Sequence, residues 1–382
     1  MNKYRFDQIA INCIEKRKPT EADKATYVGL EHLDPGTLTV SRWGSAVPIK
    51  GEKLVMNKGD VLLGKRNAYL RRAAIAPHDG LFSAHGMVLN PHEEVIDKDF
   101  FPHFILSDYF FDEAIKISVG SLSPTINWRD IAKVEFNLPS PEKQKELAQT
   151  LWAITETIDG YRHLIYMTDE LVKSQFVEMF GDPVTNPFGW EKRTLDSLSN
   201  KISDGVHAKP QYTESGKPFI SVVNMNKGVL DFTDCKFVSE EAYQKMIKST
   251  HPERGDVLYT KVGATYGIPA YVDTDQPFCL YVSVCLIKPK HELIDARFLT
   301  ESMRLPYIKG QADDRIKGIG VPDLHLQEIK SFEILCPPRE LQEQYVAFVE
   351  QCDKSKHEIN RALDSTVAMY KKILHEAFEI DD

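Results

Sequence analysis

Residues 139–182 read PSPEKQKELAQTLWAITETIDGYRHLIYMTDELVKSQFVEMFGD, and their pattern predicts the architecture of the chain. It holds no proline between Glu142 and Phe180, and Gly160 is its single glycine before Gly181. Apolar or near-apolar residues recur in alternating steps of four and three, at Leu147, Leu151, Ile154, Ile158, Tyr161, Ile165, Thr168, Val172 and Met179. This is the a/d seam of a coiled coil. The stretch therefore predicts an unbroken helix of about forty residues, roughly 60 Å long, which ends at Gly181 and Pro183.

The C-terminal segment supplies a partner for this seam. Leu341–Phe378 also lacks proline and glycine, and it places Tyr345 198 residues after Leu147. Its remaining seam residues are Val349, Cys352, Ile359, Leu363, Thr366, Tyr370, Ile373 and Ala377. The globular parts repeat as well, because the string Pro91…Ile96-Asp97…Phe100 returns 198 residues later as Pro289…Ile294-Asp295…Phe298. The repeat indicates an internal duplication of a globular domain followed by a long helix.

This duplication predicts an α+β protein in which two similar mixed domains are separated by two long helices. We expect the helices to pair as an antiparallel coiled coil, which gives the molecule a pseudo-two-fold axis. The predicted boundaries are 1–138 for the first globular domain, 139–182 for the central helix, 183–336 for the second globular domain and 337–382 for the C-terminal helix.

Composition describes an ordinary globular protein, with 42% hydrophobic and 27% charged residues. The net charge of −9 lies mostly on the helical segments, since Lys and Arg number 18 against 18 acidic residues in 1–139 and 19 against 20 in 183–338. Neutral globular domains permit a basic DNA-binding face without proving one. The six cysteines form no C-x-x-C pair, and neither a secretory signal nor a membrane span is evident. We therefore expect a cytoplasmic protein with reduced thiols.

The sequence lacks the constellations of residues that an enzyme would need. Residues 185–189, TNPFG, superficially resemble an adenine methyltransferase box but lack its second proline, and no glycine-rich cofactor loop precedes them. Pro322-Asp323 with Glu328-Ile329-Lys330 resembles a metal-dependent nuclease signature, but the gap is too short to span adjacent strands. The twelve histidines form no H-x-x-x-H pair. We predict no catalytic residues, no metal and no cofactor.

A basic segment in the first domain is the strongest candidate for nucleic-acid contact. Lys65, Arg66, Arg71 and Arg72 put four cations within eight residues, with Asn67 and Tyr69 between them. Arginine can contact guanine bidentately, and asparagine can do the same with adenine. A solvated basic loop is the competing interpretation, and the residues alone favour it.

Several strings, taken in this order, resemble the specificity (S) subunit of Type I restriction-modification systems. They are LPSPEKQ at 138–144, MFGDPVTNP at 179–187 followed by Gly189-Trp190, and CPPRELQEQ at 336–344. The resemblance covers essentially the whole chain. It implies two target-recognition domains that each read half of a split site in double-stranded DNA, spaced by helices that dock methyltransferase (M) subunits, expected to be two. Restriction (R) subunits would join through the M subunits.

The same resemblance favours DNA contact by the basic segment and by loops of the second domain. The predicted DNA-binding residues are Lys65, Arg66, Asn67, Tyr69, Arg71, Arg72, Lys209, Lys261, Thr265, Tyr266, Arg315 and Lys317. The rival class is a protein–protein scaffold with a coiled-coil hairpin and peptide-binding ends. Steep salt dependence of DNA affinity would distinguish the two.

Overall fold

The structure is a computed structural model that describes residues 2–225, 227–316 and 320–378. The chain divides into two compact units: one comprises the residues up to Ile165 together with those from Glu358 onward, and the other is Tyr166–His357. Its α-helices are α1 (Phe6–Ile9), α2 (Phe101–Leu106), α3 (Asp108–Lys116), α4 (Trp128–Ile131), α5 (Pro141–Phe180), α6 (Glu240–Met246), α7 (Ala296–Arg304), α8 (Pro306–Arg315), α9 (Leu326–Lys330) and α10 (Arg339–Phe378).

The two predicted long helices are α5 and α10, each of 40 residues. Helix α5 begins with proline at its first position and ends at Gly181, whose φ of 77° is the left-handed geometry of a C-terminal glycine. The seam residues of α5 are buried or half-buried along its whole length. Both predicted helices are present: α5 lies within the predicted 139–182, and α10 begins two residues after the predicted start at 337.

In each unit, opposite halves of α5 and α10 share one core. In the first unit, Leu151 and Ile158 of α5 lie in one buried cluster with Tyr370 and Leu374 of α10. In the second unit, Val172 and Phe176 of α5 cluster with Tyr345, whose hydroxyl donates to the carbonyl of Val172 at 3.2 Å. The first half of one helix thus packs against the second half of the other, as an antiparallel pair requires.

The strands of the first unit form three sheets. They are β1 (Asn2–Arg5), β2 (Ala10–Cys13), β3 (Lys16–Arg17), β4 (Tyr27–Val28), β5 (Lys53–Met56), β6 (Val61–Gly64), β7 (Ala73–Ile75), β8 (Gly80–Phe82), β9 (Gly86–Pro91) and β10 (Glu135–Leu138). Their sheet orders are β2-β9-β6-β7, β3-β5-β8-β4 and β1-β10. Strand β6 is buried on both faces, so it forms the centre of this domain.

The second unit repeats this topology. Its strands are β11 (Lys192–Thr194), β12 (Ser199–Asp204), β13 (Lys217–Ile220), β14 (Lys236–Val238), β15 (Val257–Thr260), β16 (Pro269–Tyr271), β17 (Cys279–Leu280), β18 (Val284–Pro289) and β19 (Glu333–Leu335). The order β12-β18-β15-β16 matches β2-β9-β6-β7 strand for strand, and the pair β11-β19 matches β1-β10. The third sheet differs, because β14-β13-β17 has three strands where the first unit has four. The α+β fold class and the duplication are confirmed.

Residues 25–33 form only a short strand. The structure has 3₁₀ turns at Glu21–Ala25 and Leu30–His32 on either side of the two-residue β4. A side-chain cap stabilises the second turn, because the buried Nδ1 of His32 accepts the backbone N–H of Gly29 at 2.8 Å.

Candidate nucleic-acid interface

The basic segment predicted from sequence follows the buried strand β6 and is held rigidly. Asn67 and Arg71, with φ of 55° and 48°, flank a 3₁₀ turn at Ala68–Leu70. The backbone N–H of Ala68 donates to the carbonyl of Pro124, and that of Ile126 donates to the carbonyl of Lys65. Backbone hydrogen bonds therefore hold the ordered segment 64–72 against the chain around residues 123–126.

Arg66 and Asn67 meet at Ser123. The Nε of Arg66 donates to Ser123 Oγ at 2.9 Å, and Ser123 Oγ donates to Asn67 Oδ1 at 2.7 Å. Arg66 is exposed and has no carboxylate partner in the part of the chain that the structure describes. Its guanidinium is oriented by one hydrogen bond and remains available to a ligand at the surface.

The other two arginines of the segment are engaged inside the protein. Arg71 forms ion pairs with Asp108 and Asp112 of α3, the second at 2.6 Å. Arg72 is half-buried and donates to the carbonyls of Leu30 and Arg66, and burial lowers its pKa. DNA contact by Arg71 and Arg72 stays a prediction, but both side chains already serve to fix the segment.

Tyr69 is 57% exposed and lies beside Arg71. Both residues line a cavity of about 930 Å³ in the first unit. The opposite walls of this cavity come from the first turn of α3 and from the long helices at Ile158 and Tyr370. Tyr69 and Arg71 thus belong to a groove between the globular domain and its helices.

A cationic face, defined here as Lys16, Lys53, Lys65, Arg66 and His85, lies on the first domain. Burial first, and then the charges of Arg66, Lys65 and Lys53, lower the pKa of His85. Burial and the neighbouring Lys16 likewise lower the pKa of Lys65. The like charges that interact here, Lys65 with Lys16 and His85 with Lys53, Lys65 and Arg66, form a site that a polyanion would stabilise.

A small cleft of about 140 Å³ opens beside Lys16 and Lys65, and Asn12, Asn127 and Trp128 also line it.

Lys16, Lys53 and His85 were missed in the sequence because they lie on three separate strands or turns. The run Glu15-Lys16-Arg17-Lys18 was the visible signal. Of that run, Arg17 forms a bidentate pair with Asp23 at 2.6 and 2.8 Å, and this pairing together with Thr20 holds the pKa of Asp23 far below its usual range.

In the second domain, Lys261 lies inside the protein. It is 6% exposed, and its Nζ is 3.5 Å from Asp204 Oδ2 and 3.7 Å from Asp323 Oδ1. Burial raises the pKa of Asp204, and the charge of Lys261 opposes that rise. DNA contact by Lys261 stays a prediction, and it would require both ion pairs to open.

The loop after Lys261 differs from its counterpart in the first domain. Thr265 is exposed, whereas the Tyr266 hydroxyl donates to Asp313 and the Lys309 ammonium lies 3.9 Å from the centre of its ring. Arg315 is half-buried and donates to the carbonyl of Gln311 at 2.8 Å. The predicted residue Lys317 lies outside the described residues.

Lys209 lies with a second lysine over one aromatic ring. The ammonium groups of Lys209 and Lys236 are 5.9 and 4.5 Å from the centre of the Tyr212 ring, which packs on Phe219. Lys209 and Lys236 are exposed. The sequence pointed to Lys209, but Lys236 comes from β14 and could not be placed beside it without the fold.

Three features of the described residues bear on metal binding, thiol reactivity and membrane insertion. Within 2–225, 227–316 and 320–378, no group of three His, Cys, Asp or Glu residues could hold a metal ion. Burial raises the pKa of the Cys279 thiol to about 12, which makes it a weak nucleophile. Among the helices described, none combines the length and hydrophobicity needed to cross a membrane.

Comparison with known proteins gives consistent matches. The family model described as Type I restriction modification DNA specificity domain matches residues 13–165 and 187–368. The EcoKI specificity subunit of Escherichia coli (strain K12) is 22% identical over 336 residues, which are 79% of this chain and 69% of that protein. The MjaIX specificity subunit of Methanocaldococcus jannaschii is 24% identical over 325 residues, covering 78% and 71% of the two chains. The crystal structure of the Type I S subunit from M. genitalium aligns with a TM-score of 0.53 at 15% identity, over 100% of this chain and 96% of that one.

Proposed function

Because this chain belongs to the Type I restriction-modification DNA specificity family, we propose that each of its two globular domains reads one half of a bipartite DNA site. The chain is the non-catalytic DNA-specificity subunit of such a system. The recognition domains are proposed as residues 1–138 and 183–336, with 139–182 and 337–382 as the helices that space them. We expect the protein to act in the cytoplasm.

The observation that carries the proposal is the repeated sheet order. The chain contains the same four-stranded arrangement twice, each followed by a 40-residue helix. The side chains of the two copies differ. The first domain presents Lys65 and Arg66 near its surface, whereas Lys261 of the second domain is buried in ion pairs. Two similar frameworks with different surface chemistry suit two different half-sites on one duplex.

For the first half-site, we propose that Arg66 reads a base and that Lys16, Lys53 and Lys65 contact phosphates. A guanidinium held by a single hydrogen bond at Nε keeps its two Nη groups for bidentate contact with guanine. The surrounding lysines supply the sequence-independent attraction to the backbone.

For the second half-site, we propose Lys209 and Lys236 as the corresponding phosphate contacts. Tyr212 beneath them restricts both ammonium groups through cation–π contact. Thr265, on an exposed loop whose glycines Gly263 and Gly267 have φ of 90°, is the proposed base contact of this domain.

The family assembles with M and R subunits, and we propose that α5 and α10 hold the M subunits, two per chain. Met167 and Leu171 of α5 are 48% and 50% exposed, one helical turn apart. Apolar side chains so placed on a charged helix mark a surface for another helix.

The test is to express the chain with its M subunits and map methylated bases across a genome. The expected result is a motif of two constant half-sites separated by a fixed number of unspecified bases. Arg66→Ala should weaken recognition of one base pair in the first half-site by about 1–3 kcal/mol, and Lys236→Ala should weaken all sites and lower the salt slope by about 1.

Lys116→Ala is the control, because Lys116 is an exposed cation of the same domain paired with Glu113 on α3. It should change neither the motif nor the salt slope. A methylated motif without an unspecified spacer would refute the bipartite function. An Arg66→Ala variant that reads both half-sites unchanged would refute the role of the cationic face.

A further inference from the structure

Each long helix has a buried glutamine at its fourth residue. Gln144 of α5 is 2% exposed and Gln342 of α10 is fully buried. The two are 198 residues apart, which is the repeat distance of the duplication. A polar side chain is kept at a site with no access to water only when both ends of its amide are bonded.

In the first copy, Gln144 joins three pieces of the chain. Its Oε1 accepts the backbone N–H of Asp97 at 2.7 Å, and its Nε2 donates to the carbonyl of Pro139 at 2.9 Å. Asp97 belongs to the globular domain, Pro139 to the link between β10 and α5, and Gln144 to the helix. One side chain therefore fixes the helix to the domain that precedes it.

The second copy has the same bonds. Gln342 Oε1 accepts the N–H of Asp295 at 2.8 Å, and its Nε2 donates to the carbonyls of Pro337 at 2.8 Å and Leu293 at 3.3 Å. All the partners are backbone groups, so the junction does not depend on which side chains the domain carries. This explains why a glutamine follows the proline-rich string in both copies.

The junction also connects to the next helix of each domain. Asp97 Oδ1 accepts the N–H of Phe100 just before α2, and Asp295 Oδ1 accepts those of Arg297 and Phe298 in α7. A bond to the backbone of these aspartates therefore ties the long helix to a hydrogen-bonded turn at the start of the next helix.

We propose that Gln144 and Gln342 are positioning residues that set the angle between each recognition domain and its long helix, and thereby restrict the spacer of the DNA site to one length. The inference rests on the proposed bipartite function. It adds a determinant of spacing that lies outside any DNA-contacting loop and outside the length of the helices.

The geometry explains why an angle matters. A domain of this size has a radius of gyration of about 14 Å, so its DNA-reading surface is roughly 30 Å from the junction. One base pair occupies about 3.4 Å along the duplex, which at that distance corresponds to a rotation of about 6°. A tilt of about 6° at the junction is therefore enough to change the spacer by one base pair.

The two junctions are not equally braced. Arg339 of α10 adds an ion pair to Asp295 at 2.9 Å and a hydrogen bond to the carbonyl of His291 at 3.2 Å. The residue at the same position of α5 is Pro141, which cannot make such contacts. Loss of the glutamine should therefore loosen the first junction more than the second.

The experiment compares Gln144→Met with Gln149→Met in complex with the M subunits. Methionine has nearly the shape of glutamine but neither donates nor accepts strongly, and Gln149 is exposed on the same helix. Methylation rates are measured on duplexes with the cognate spacer and with spacers one base pair longer and shorter. Because displacements near 1 Å change rates by up to about a hundredfold, we expect Gln144→Met to lower discrimination between these spacers at least about tenfold.

Gln149→Met should discriminate as the unaltered protein does, and Gln342→Met should show a loss of about threefold, smaller than Gln144→Met because Arg339 remains. The half-site bases should be the same in all variants. Unchanged spacer discrimination in a Gln144→Met complex that assembles and methylates the cognate site would overturn the inference. If Gln144→Met does not fold, unchanged discrimination in Gln342→Met overturns it instead. A protein that methylates no bipartite site at all contradicts the proposed function, and this outcome is distinguishable from failure of the junction.

Discussion

His103 should make the first unit sensitive to mild acid. The side chain is completely buried, its Nδ1 is 2.8 Å from the hydroxyl of Tyr370, and its ring lies 4.6 Å from that of Trp152. Burial lowers the pKa of His103 to about 3. The neutral imidazole is thus part of the contact between α2 and both long helices.

The direction in which the free energy of unfolding changes with pH follows from proton linkage. Unfolding returns His103 to a pKa of 6.5, so the unfolded chain binds the proton more tightly than the folded one. The stabilisation is fully present above the unfolded pKa and is lost as pH falls below it. At pH 5 the free energy of unfolding should be lower than at pH 7.5 by about 2 kcal/mol from this group alone. That figure hardly changes if the folded pKa is one unit higher.

The assay is urea unfolding of the chain at pH 7.5 and pH 5, followed by circular dichroism, for the unaltered protein and for His103→Phe. The substitution lowers stability at both pH values because it leaves the buried hydroxyl of Tyr370 without its partner. The decrease in its free energy of unfolding from pH 7.5 to pH 5 should nevertheless be smaller than that of the unaltered protein by about 2 kcal/mol. His357→Phe is the control, since His357 is exposed on α10, and it should keep the full pH dependence. Equal pH dependence in His103→Phe and the unaltered chain would refute the reasoning.

Further predictions concern the long helices. A seven-residue insertion in each of α5 and α10 keeps the seam in phase and adds about 10 Å, so the methylated motif should gain a spacer of about 3 bp with unchanged half-sites; an unchanged spacer would contradict a spacing role for the helices. Gly181→Ala should destabilise the chain by more than about 1 kcal/mol, because φ is 77° and the new Cβ would lie 2.5 Å from Pro187 Cγ. Gly160→Ala is its counterpart in open space within α5, and it should stabilise the chain by about 1 kcal/mol in thermal unfolding; the reverse order would contradict this account of the two glycines.

The long helices could be predicted from the sequence because their signals are local and repeated. An a/d seam, a proline before the start and a glycine at the end act within one or two turns, and residues 139–182 contain all three. The duplication gave the same information a second time. For this reason the two long helices and the fold class were accessible without coordinates.

The candidate DNA contacts were less accessible because exposure depends on distant partners. Arg71 finds Asp108 and Asp112 some forty residues away, and no spacing rule in the loop reveals them. Lys261 is a comparable case, since its two carboxylate partners come from β12 and from the turn before α9. A basic string in a sequence therefore indicates charge, whereas only the fold decides which charges reach the surface.

The pairing of the first and last strands of each globular domain has a consequence for how such a chain can change. In the first domain β1 pairs with β10, so Asn2 lies opposite Leu138, and in the second β11 pairs with β19, so Lys192 lies opposite Leu335. The chain enters and leaves each domain through neighbouring strands, and beyond this two-stranded stem the domain packs its side chains on both long helices. A recognition domain that keeps these helix-facing side chains can thus be exchanged at its stem, with the helices and their spacing left intact. New specificities can then arise by recombining whole half-site readers, without rebuilding any domain residue by residue.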